Sequence, residues 1–518
     1  MTLPLKNFMA SLPDQILSKL RPHQVKPVEH LLGVLGRHQS AVDASGTGTG
    51  KTWVAAAVIA VLRLPALVVT PFIAQTEWRN VLTAFGDDSA IINYEKLRTG
   101  NTAYGTWQHE DAPTEFWKCQ CCQRRFSDIR FAEQEPCYTN RRGIHCLEFH
   151  KQKAARGRFT FHPGVKFLVA DEVHRANGIG TQNAEFLIAA KRQGIKLLGL
   201  SATLGESPEK FRALGYTLDL HNLTPGNLRM ERGGAISQKP GFYEFCARYG
   251  CRRDIQLGPG LHWYVGEEKQ RQAMAHIHSQ IFPARGVRVR AEDIPGFPER
   301  DISAELYDIE KPGLVDRLYA DMREALEVLD ARATQDVNPD SPLTRILRAH
   351  QKVELLKVPV ALELSADLLT KGYSVGFFVN YQATVDVLCA RLNTSCRVDG
   401  TPAGVKYREQ NVASFQANRE RRIVLNSRAG GICLNLQDLD GGHPRAGLVF
   451  PGFDIVTMQQ LCGRFQRSGG KSRCLYRVMF AAHSVEENMY RAWRAKSSNL
   501  DALNDADLSP FGIPLTKI

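Results

Sequence analysis

Ala44-Ser45-Gly46-Thr47-Gly48-Thr49-Gly50-Lys51-Thr52 is the stretch that decides the fold, and an apolar, helix-like run from Trp53 to Leu62 follows it. Glycines at alternate positions let the backbone curl, so that successive N–H groups can point at one cluster of phosphates. A helix beginning near Lys51 adds the positive end of its dipole. We expect Lys51 to neutralise the outer phosphates and the Thr52 hydroxyl to hold Mg²⁺. Because a strict phosphate loop has glycine in place of Ser45, a glycine-rich turn that caps an ordinary helix stays the alternative.

The composition is that of a globular chain with a basic excess. At 518 residues the chain is too long for one hydrophobic core, so we expect two or three domains. No stretch is apolar and long enough to cross a bilayer, and residues 1–20 lack a secretory signal, so we expect an intracellular protein without a membrane partner. The 12 cysteines then favour reduced thiols or metal over disulfides. The formal charge of +12 suits a polyanionic partner.

The second informative stretch is Val165 to His174, an apolar run that ends in Asp-Glu-Val-His. Its pattern predicts a buried parallel strand that delivers two adjacent carboxylates at its carboxyl end. Asp171 can hold the water shell of Mg²⁺, and Glu172 can polarise an attacking water. Acids at a strand end are commonly just solvated, but after a phosphate loop they predict a site for nucleotide hydrolysis.

Other polar residues sit at predicted strand ends, where open α/β sheets place their binding groups. Small hydroxyl residues after the strand Ile195–Leu200 could sense the γ-phosphate and relay its loss to the sheet. Gln24, ahead of the phosphate loop, could present its amide to adenine, although an exposed glutamine near a helix start is the alternative. The strand-end residues are Thr70, Asn93, Ser201 and Thr203.

The second half of the chain repeats the alternation of strands and helices. Buried strands are expected at 375–381 and 422–431, after a helix from Leu314 to Leu329 and a second from Leu343 to about Leu369 that Pro359 interrupts. This order predicts a second parallel α/β sheet. Further on, Gln460-Leu461-Cys462-Gly463-Arg464-Phe465-Gln466-Arg467 sets two arginines three residues apart, and we expect them on one face of a helix.

Five cysteines lie in a long interval, about residues 98 to 164, that separates two predicted strands of the first sheet. Cys119 and Cys122 have the two-residue spacing of a zinc knuckle, which leaves Cys121 as a bystander. Cys137 and Cys146 can complete a tetrahedral site, with His145 or His150 as substitutes for one of them. Reduced cysteines packed as small hydrophobes are the alternative.

The same interval is basic, with ten lysines and arginines against five acidic residues between Glu115 and Thr160. We expect Arg124 and Arg125, with their basic neighbours, to touch nucleic-acid phosphates and to help position or split a duplex. A solvated basic loop is the alternative.

In their order along the chain these motifs resemble superfamily 2 helicases and translocases of the DExH type. Leu20-Arg21-Pro22-His23-Gln24, Ile92-Asn93-Tyr94-Glu95 and the Ser427–Asn435 segment look most like the Swi2/Snf2 branch. Ser201-Ala202-Thr203 departs from that branch, where Thr-Gly-Thr-Pro is usual. The resemblance implies ATP and Mg²⁺ as cofactors.

The resemblance also implies roles for particular residues. Catalysis falls to Lys51, Asp171, Glu172 and two arginines that reach the γ-phosphate, Arg467 as first choice and Arg464 as second. The other ATP-binding residues would be Gln24, Gly46, Thr47, Gly48, Thr49, Gly50, Thr52, His174 and Gln460. Nucleic acid would lie across both halves on Thr70, Asn93, Asn380 and Ser427.

We therefore predict an α/β protein with two RecA-like parallel-sheet lobes, a cysteine-rich zinc-finger-like insertion and a helical connector. Residues 1–210 form lobe 1 with the insertion at 98–164, residues 211–310 the connector, residues 311–500 lobe 2 and residues 501–518 a tail.

The predicted function is that of a DNA-dependent ATPase that moves on or remodels double-stranded, forked or single-stranded DNA in replication, repair or recombination. The alternatives are an RNA helicase and the motor subunit of a restriction or defence assembly, with replication, repair or nuclease proteins as partners. We expect zinc as a further cofactor. The expected location is the cytoplasm of a microbial or virus-infected cell, or the nucleus if the source is eukaryotic.

Overall fold

The computed structural model describes residues 12–108, 114–119, 121, 125–126, 137, 144–152, 157–223, 239–253, 261–307, 342–427, 434–452, 454–482, 486–509 and 512–517. The helix expected from Leu314 to Leu329, together with Cys122 and Arg124, lies outside these residues. Among the residues described, no helix combines the length and the apolar character that crossing a membrane requires.

The phosphate-loop half is built on a sheet of six parallel strands. Its central strands β2 (Ala66–Thr70) and β9 (Phe167–Asp171) are buried along their whole length because helices cover both faces of the sheet. In spatial order, with strands numbered along the chain, the sheet contains β13 (Gly286–Val287), β1 (Ser40–Asp43), β10 (Lys196–Leu200), β9 (Phe167–Asp171), β2 (Ala66–Thr70) and β3 (Ala90–Asn93).

Helices α2, α3 and α4 pack on one face of this sheet, and α6 packs on the other. Apolar residues of α8 and α9, from the predicted connector, join the second of these layers and so belong to the core of the first lobe. The helices are α1 (Asp14–Leu17), α2 (Pro22–Arg37), α3 (Lys51–Leu62), α4 (Gln75–Ala84), α5 (Tyr94–Arg98), α6 (Gln182–Arg192), α7 (Arg212–Thr217), α8 (Phe242–Arg248) and α9 (Glu267–Ile281), with a hairpin of β11 (Cys251–Arg253) and β12 (Leu261–Trp263) between the last two.

The cysteine-bearing insertion leaves the first lobe on an antiparallel stem of β4 (Gly105–Gln108) and β8 (Arg158–Phe161). Trp107 and Phe159 of the stem stack edge-on with centroids 5.2 Å apart, and Phe159 also meets Phe186 of α6 at 4.7 Å. These rings fix the stem to the core of the lobe. Beyond it lies a three-stranded antiparallel sheet in the order β6 (Arg125–Phe126), β5 (Thr114–Cys119) and β7 (Leu147–Gln152).

The second lobe is a sheet of seven parallel strands. In spatial order it contains β16 (Arg397–Val398), β17 (Arg422–Asn426), β15 (Ser374–Val379), β18 (Arg445–Val449), β19 (Cys474–Ala481), β14 (Arg300–Tyr307) and β20 (Leu515–Lys517). Its helices are α10 (Pro342–Leu356), α11 (Val358–Thr370), α12 (Gln382–Leu392), α13 (Pro402–Lys406), α14 (Arg408–Gln416), α15 (Ile455–Leu461) and α16 (Glu486–Asp505). The prediction of two parallel-sheet lobes is confirmed.

Three strands belong to other parts of the fold than the predicted domain limits assign them to. Strand β13, from the predicted connector, extends the first sheet, whereas β14, also from that interval, and β20, from the predicted tail, both pair in the second sheet. Helix α16 starts in the second lobe, where Tyr490 and Trp493 are buried, and ends with Ala502 and Leu503 in the core of the first. The two lobes are therefore joined by a continuous helix as well as by the connector.

Candidate ATP site between the two lobes

The phosphate loop runs from the end of β1 to the start of α3. Gly48 and Gly50 have positive φ angles, 80° and 91°, a backbone conformation that side chains rarely adopt. A Cβ atom at position 50 would lie 2.1 Å from Nε2 of Gln24, so only glycine fits there. The α3 helix begins at Lys51, and its N-terminus faces the cleft. This gives the loop the shape and the dipole of an anion site.

Lys51 reaches back over the loop. Its Nζ donates to the carbonyl oxygens of Ser45 at 2.8 Å and Gly46 at 3.0 Å. Burial lowers the pKa of Lys51, and the carboxylates of Asp43 and Glu172 oppose that shift. A cation held by two neutral carbonyls is ready for an anionic ligand, because phosphate oxygens would bind it more strongly.

Asp171 is held by two side chains of its own lobe. Its Oδ2 accepts hydrogen bonds from Thr70 Oγ1 at 2.8 Å and from Trp78 Nε1 at 2.9 Å. Burial and the neighbouring Glu172 carboxylate raise the pKa of Asp171, although those two donors favour its ionised form. A Mg²⁺ ion would add a larger opposing effect, since a bound cation stabilises the carboxylate.

Glu172 follows at a φ of 51°, which turns its side chain out of the strand direction and into the cleft. Its Oε2 lies 3.3 Å from His174 Nδ1 and accepts from Gln460 Nε2 at 3.0 Å. Burial raises the pKa of Glu172, but the hydrogen bond from His174 and the charges of Lys51 and Arg464 outweigh burial, so the net pKa is lowered. Glu172 therefore stays ionised and able to accept a proton or orient water.

A hydrogen-bonded path leads from Glu172 to the predicted relay residues. His174 Nδ1 lies 3.0 Å from Ser201 Oγ, which in turn donates to the Thr203 carbonyl oxygen at 2.8 Å. Ser201 and Thr203 are buried. Their role in sensing the γ-phosphate stays a prediction, for which this path supplies a physical route.

Both arginines of the second lobe line the same cleft as Lys51, Thr52 and Glu172. They do not share a helix face, contrary to the prediction, because α15 ends at Leu461 and the chain then turns. The lobes approach closely at this turn, since a Cβ at Gly463 would lie 2.1 Å from Thr47 Oγ1. The turn lets the second lobe meet the phosphate loop, where Ser468 N donates to the Gly48 carbonyl at 3.1 Å.

Gln24 lies at the edge of the cleft, 4% exposed. Its Oε1 accepts from Arg21 N at 2.9 Å, and its Nε2 donates to the Thr49 carbonyl at 3.2 Å. The amide therefore braces the phosphate loop. Its role toward adenine stays a prediction.

Two of the four expected nucleic-acid contacts are buried, whereas Asn93 and Asn380 are half-exposed and stay predictions. Thr70 and Ser427 are 0% and 2% exposed and cannot form a binding surface, and Thr70 serves Asp171 instead. The Asn380 side-chain amide donates a hydrogen bond to Glu354 Oε2 at 2.7 Å, inside the second lobe. Asn93 caps α5, with its Oδ1 accepting from Lys96 N at 2.6 Å. The sequence pattern identifies polar residues at strand ends, but whether such a residue is exposed depends on the parts of the fold that pack around it.

Sequence reasoning assigned no role in the site to Trp78, Tyr94 or Asp43. Tyr94 donates its hydroxyl to the Asp171 carbonyl at 2.7 Å, and Asp43 Oδ1 accepts from Ser45 N at 2.9 Å. Asp43 directly precedes the phosphate loop in the sequence, and this position alone could have indicated a contact with the loop backbone. The contact of Trp78 with Asp171 joins residues 93 positions apart and has no local signature.

The cysteines of the insertion are only partly as predicted. Cys119 and Cys137 are buried together, as expected for a shared site. The prediction that Cys121 stands aside disagrees with the structure, in which its sulfur lies within 4.8 Å of both.

The cleft residues fit a nucleoside triphosphate with Mg²⁺. Glycine backbone and Lys51 can take the phosphates, Thr52 and Asp171 can take the cation, and the two arginines can take the charge that develops on the γ-phosphate. Cationic and anionic groups thus line the same cleft.

Comparison with known proteins agrees with this arrangement. Residues 17–206 match the family described as Type III restriction enzyme, res subunit. The chain is 29% identical over 506 residues to an Acanthamoeba polyphaga mimivirus protein provisionally named ATP-dependent RNA helicase L364, covering 96% of this chain and 86% of that one. A mouse protein named DNA excision repair protein ERCC-6-like is 28% identical over 116 residues, 22% of this chain and 9% of its own length. The structure of the Sulfolobus solfataricus SWI2/SNF2 ATPase core in complex with dsDNA aligns over 94% of both chains, at 15% identity and with a TM-score of 0.32.

These matches, together with the motif order and the two parallel-sheet lobes, support a helicase or translocase of the superfamily 2 type. It is a nucleic-acid-dependent ATPase of the helicase type. That class implies ATP and Mg²⁺ as its cofactors.

Proposed function

We propose that this ATPase is a Swi2/Snf2-like translocase that moves on or remodels DNA in replication, repair or recombination. The observation that carries the proposal is the hydrogen bond of Gln460 Nε2 to Glu172 Oε2, at 3.0 Å and across 288 residues of sequence. It joins the second lobe to the hydrolytic carboxylate of the first, so that closing the lobes and orienting the base are one event.

In this mechanism the first lobe binds and the second completes catalysis. Lys51 and the loop N–H groups would hold the phosphates, while Asp171 and Thr52 would hold the cation. Glu172 orients the attacking water, and Arg467 and Arg464 stabilise the charge of the transition state. Loss of the γ-phosphate loosens the contacts between the lobes, and alternation of tight and loose arrangements moves the protein along a strand.

DNA is the substrate we favour, because the chain carries a formal charge of +12 and part of it is similar to a protein named for DNA excision repair. An RNA helicase is the alternative, favoured by the printed name of the relative that matches most of the chain. A motor subunit of a restriction or defence assembly is a further alternative, favoured by the description of the matched family. Purification together with a nuclease or methyltransferase would favour this last function.

Steady-state ATP hydrolysis with duplex DNA, single-stranded DNA and RNA tests the proposal. We expect the largest stimulation with duplex DNA. Stimulation by RNA alone would select the RNA helicase instead. Lys51→Ala and Glu172→Gln should both abolish turnover, with ATP binding kept only in Glu172→Gln. Turnover that survives in either variant would contradict the assigned site.

We also propose that the insertion is a zinc-bound, basic contact for DNA phosphates. Charge reversal at Arg124, Arg125, Arg141 and Arg142 should weaken DNA binding and reduce its dependence on salt concentration, because fewer counterions are released on binding. An unchanged salt dependence would show that these arginines are merely solvated.

A further inference from the structure

Three sulfur atoms of the insertion lie together although they come from separate stretches of chain. The Sγ atoms of Cys119, Cys121 and Cys137 are all within 4.8 Å of one another. The Cys119 and Cys137 sulfurs are 3.8 Å apart, and both residues are buried, at 0% and 1% exposure. Cys146 interacts with Cys121 and so borders the same cluster.

The sulfur separation distinguishes a metal site from a disulfide. A disulfide holds its sulfurs at about 2.05 Å. Thiolates at about 2.3 Å from a zinc ion, at the corners of a tetrahedron, lie about 3.8 Å from each other. The Cys119–Cys137 distance of 3.8 Å therefore has the value that two ligands of one tetrahedral ion require.

The surroundings of the sulfurs explain why a metal is needed. In the described part of the insertion, the buried cluster consists of Cys119, Cys137 and Phe126, with Trp117 and Leu147 packed against it. So small an apolar cluster contributes little to folding, whereas a structural zinc ion contributes its binding energy directly. The ring of His145 covers Phe126 at a centroid distance of 4.8 Å and shields one side of the cluster.

We propose that Cys119, Cys121, Cys137 and Cys146 together bind one structural Zn²⁺ ion, which serves as the core of the insertion. Four thiolates fill all positions of a tetrahedral ion, so the site is closed and has no catalytic position. The stem of β4 and β8 is anchored by aromatic packing in the first lobe, and the metal orders the small sheet that the stem carries. This inference deepens the proposed zinc-bound insertion by naming its ligands.

Metal analysis of the purified full-length chain tests the ligand set. We expect one zinc per chain in the wild type, near-complete loss of zinc in Cys119→Ser and Cys121→Ser, and full zinc content in the matched control Cys122→Ser. Zinc kept by Cys121→Ser and lost by Cys122→Ser would overturn the set in favour of the two-residue spacing. Absence of zinc from the wild type, or iron in its place, would overturn the site altogether.

Because Cys119→Ser could fail to fold, the wild type is also examined after replacement of zinc by Co²⁺. The visible spectrum should show tetrahedral cobalt bound by four thiolates, and an octahedral spectrum or one with fewer thiolates would overturn the proposal. Metal content does not depend on ATP turnover. A chain that contains zinc but shows no DNA-stimulated hydrolysis would therefore refute the proposed function and leave the zinc site supported. A metal-free chain with DNA-stimulated hydrolysis would refute the zinc site and leave the proposed function supported.

Discussion

The two sides of the ATP cleft are built in opposite ways. On the first-lobe side, two charged groups are already fixed by their own lobe: Asp171 by Thr70 and Trp78, and Lys51 by loop carbonyls. On the second-lobe side, the two arginines stand on a turn beyond α15. The same segment contacts the first lobe at Ser468, which accepts a hydrogen bond from Arg21. The difference indicates that the first lobe alone organises nucleotide binding, whereas hydrolysis also requires groups from the second lobe. Substitutions on the two sides should therefore have separable effects.

The largest separation is expected for Arg467→Ala. Removing an arginine that acts on the transition state should lower kcat by about a thousandfold or more and leave ATP affinity within a few-fold. Steady-state hydrolysis and binding of a fluorescent nucleotide measure the two quantities. Arg473→Ala, an exposed arginine of the same lobe, is the control and should change neither. An equal loss of binding and turnover would mean that the second lobe also organises binding.

Trp78→Phe probes the opposite side. A smaller aromatic ring replaces the indole and the donor to Asp171 Oδ2 is lost, so a buried carboxylate loses one hydrogen bond at a cost of about 1.5–3 kcal/mol. We expect roughly tenfold weaker turnover at low Mg²⁺ and a higher Mg²⁺ concentration for half-maximal rate. Trp107→Phe, which removes a donor to the Arg98 carbonyl in the stem, is the matched control. A Mg²⁺ dependence that shifts equally in both variants would show only general destabilisation.

Gln460→Ala tests the hydrogen bond that joins the second lobe to the hydrolytic carboxylate of the first. Loss of a bond worth about 1 kcal/mol should lower kcat roughly five- to tenfold without weakening ATP binding. Gln459→Ala, one position earlier on α15, should retain the wild-type rate. If kcat were unchanged in Gln460→Ala, the bond would not contribute to orienting the base.

An effect on stability rather than on turnover is expected at α16, which joins the two sides. Burial and the nearby charge of Asp505 raise the pKa of Asp501 to about 7, while Asp505 itself is paired with Arg288 at 2.8 Å. The folded state therefore binds a proton more tightly than the unfolded state, and stability falls as pH rises from about 4 to about 7. Asp501→Asn removes that penalty and should raise the free energy of unfolding by about 1–2 kcal/mol at pH 8 and not at pH 4.

Urea unfolding of wild type and Asp501→Asn at both pH values measures this difference. Asp507→Asn is the control, because hydrogen bonds from Ser509 lower the pKa of Asp507 and its replacement should bring no gain at pH 8. A gain for Asp501→Asn that is equal at pH 4 and pH 8 would exclude the proton linkage.

Much of this protein was determined by local sequence. Alternate glycines before an apolar helix, buried strands that end in polar residues and a proline near residue 359 gave two parallel-sheet lobes and a helix break that the structure has between Leu356 and Val358. Such features depend on steric preferences and on periodicity within a dozen residues, so they can be recognised from the sequence.

Only the tertiary structure decided where those residues face. The burial of Thr70 and Ser427, the turn that carries Arg464 and Arg467, the addition of β14 and β20 to the second sheet and the approach of Cys121 to Cys137 all depend on partners distant in the chain. Packing and sheet pairing bring together residues that can be hundreds of positions apart in the sequence. A local sequence pattern does not show which distant residue will be the partner. The chemistry of the cleft was therefore visible in the sequence, and its geometry was set by the fold.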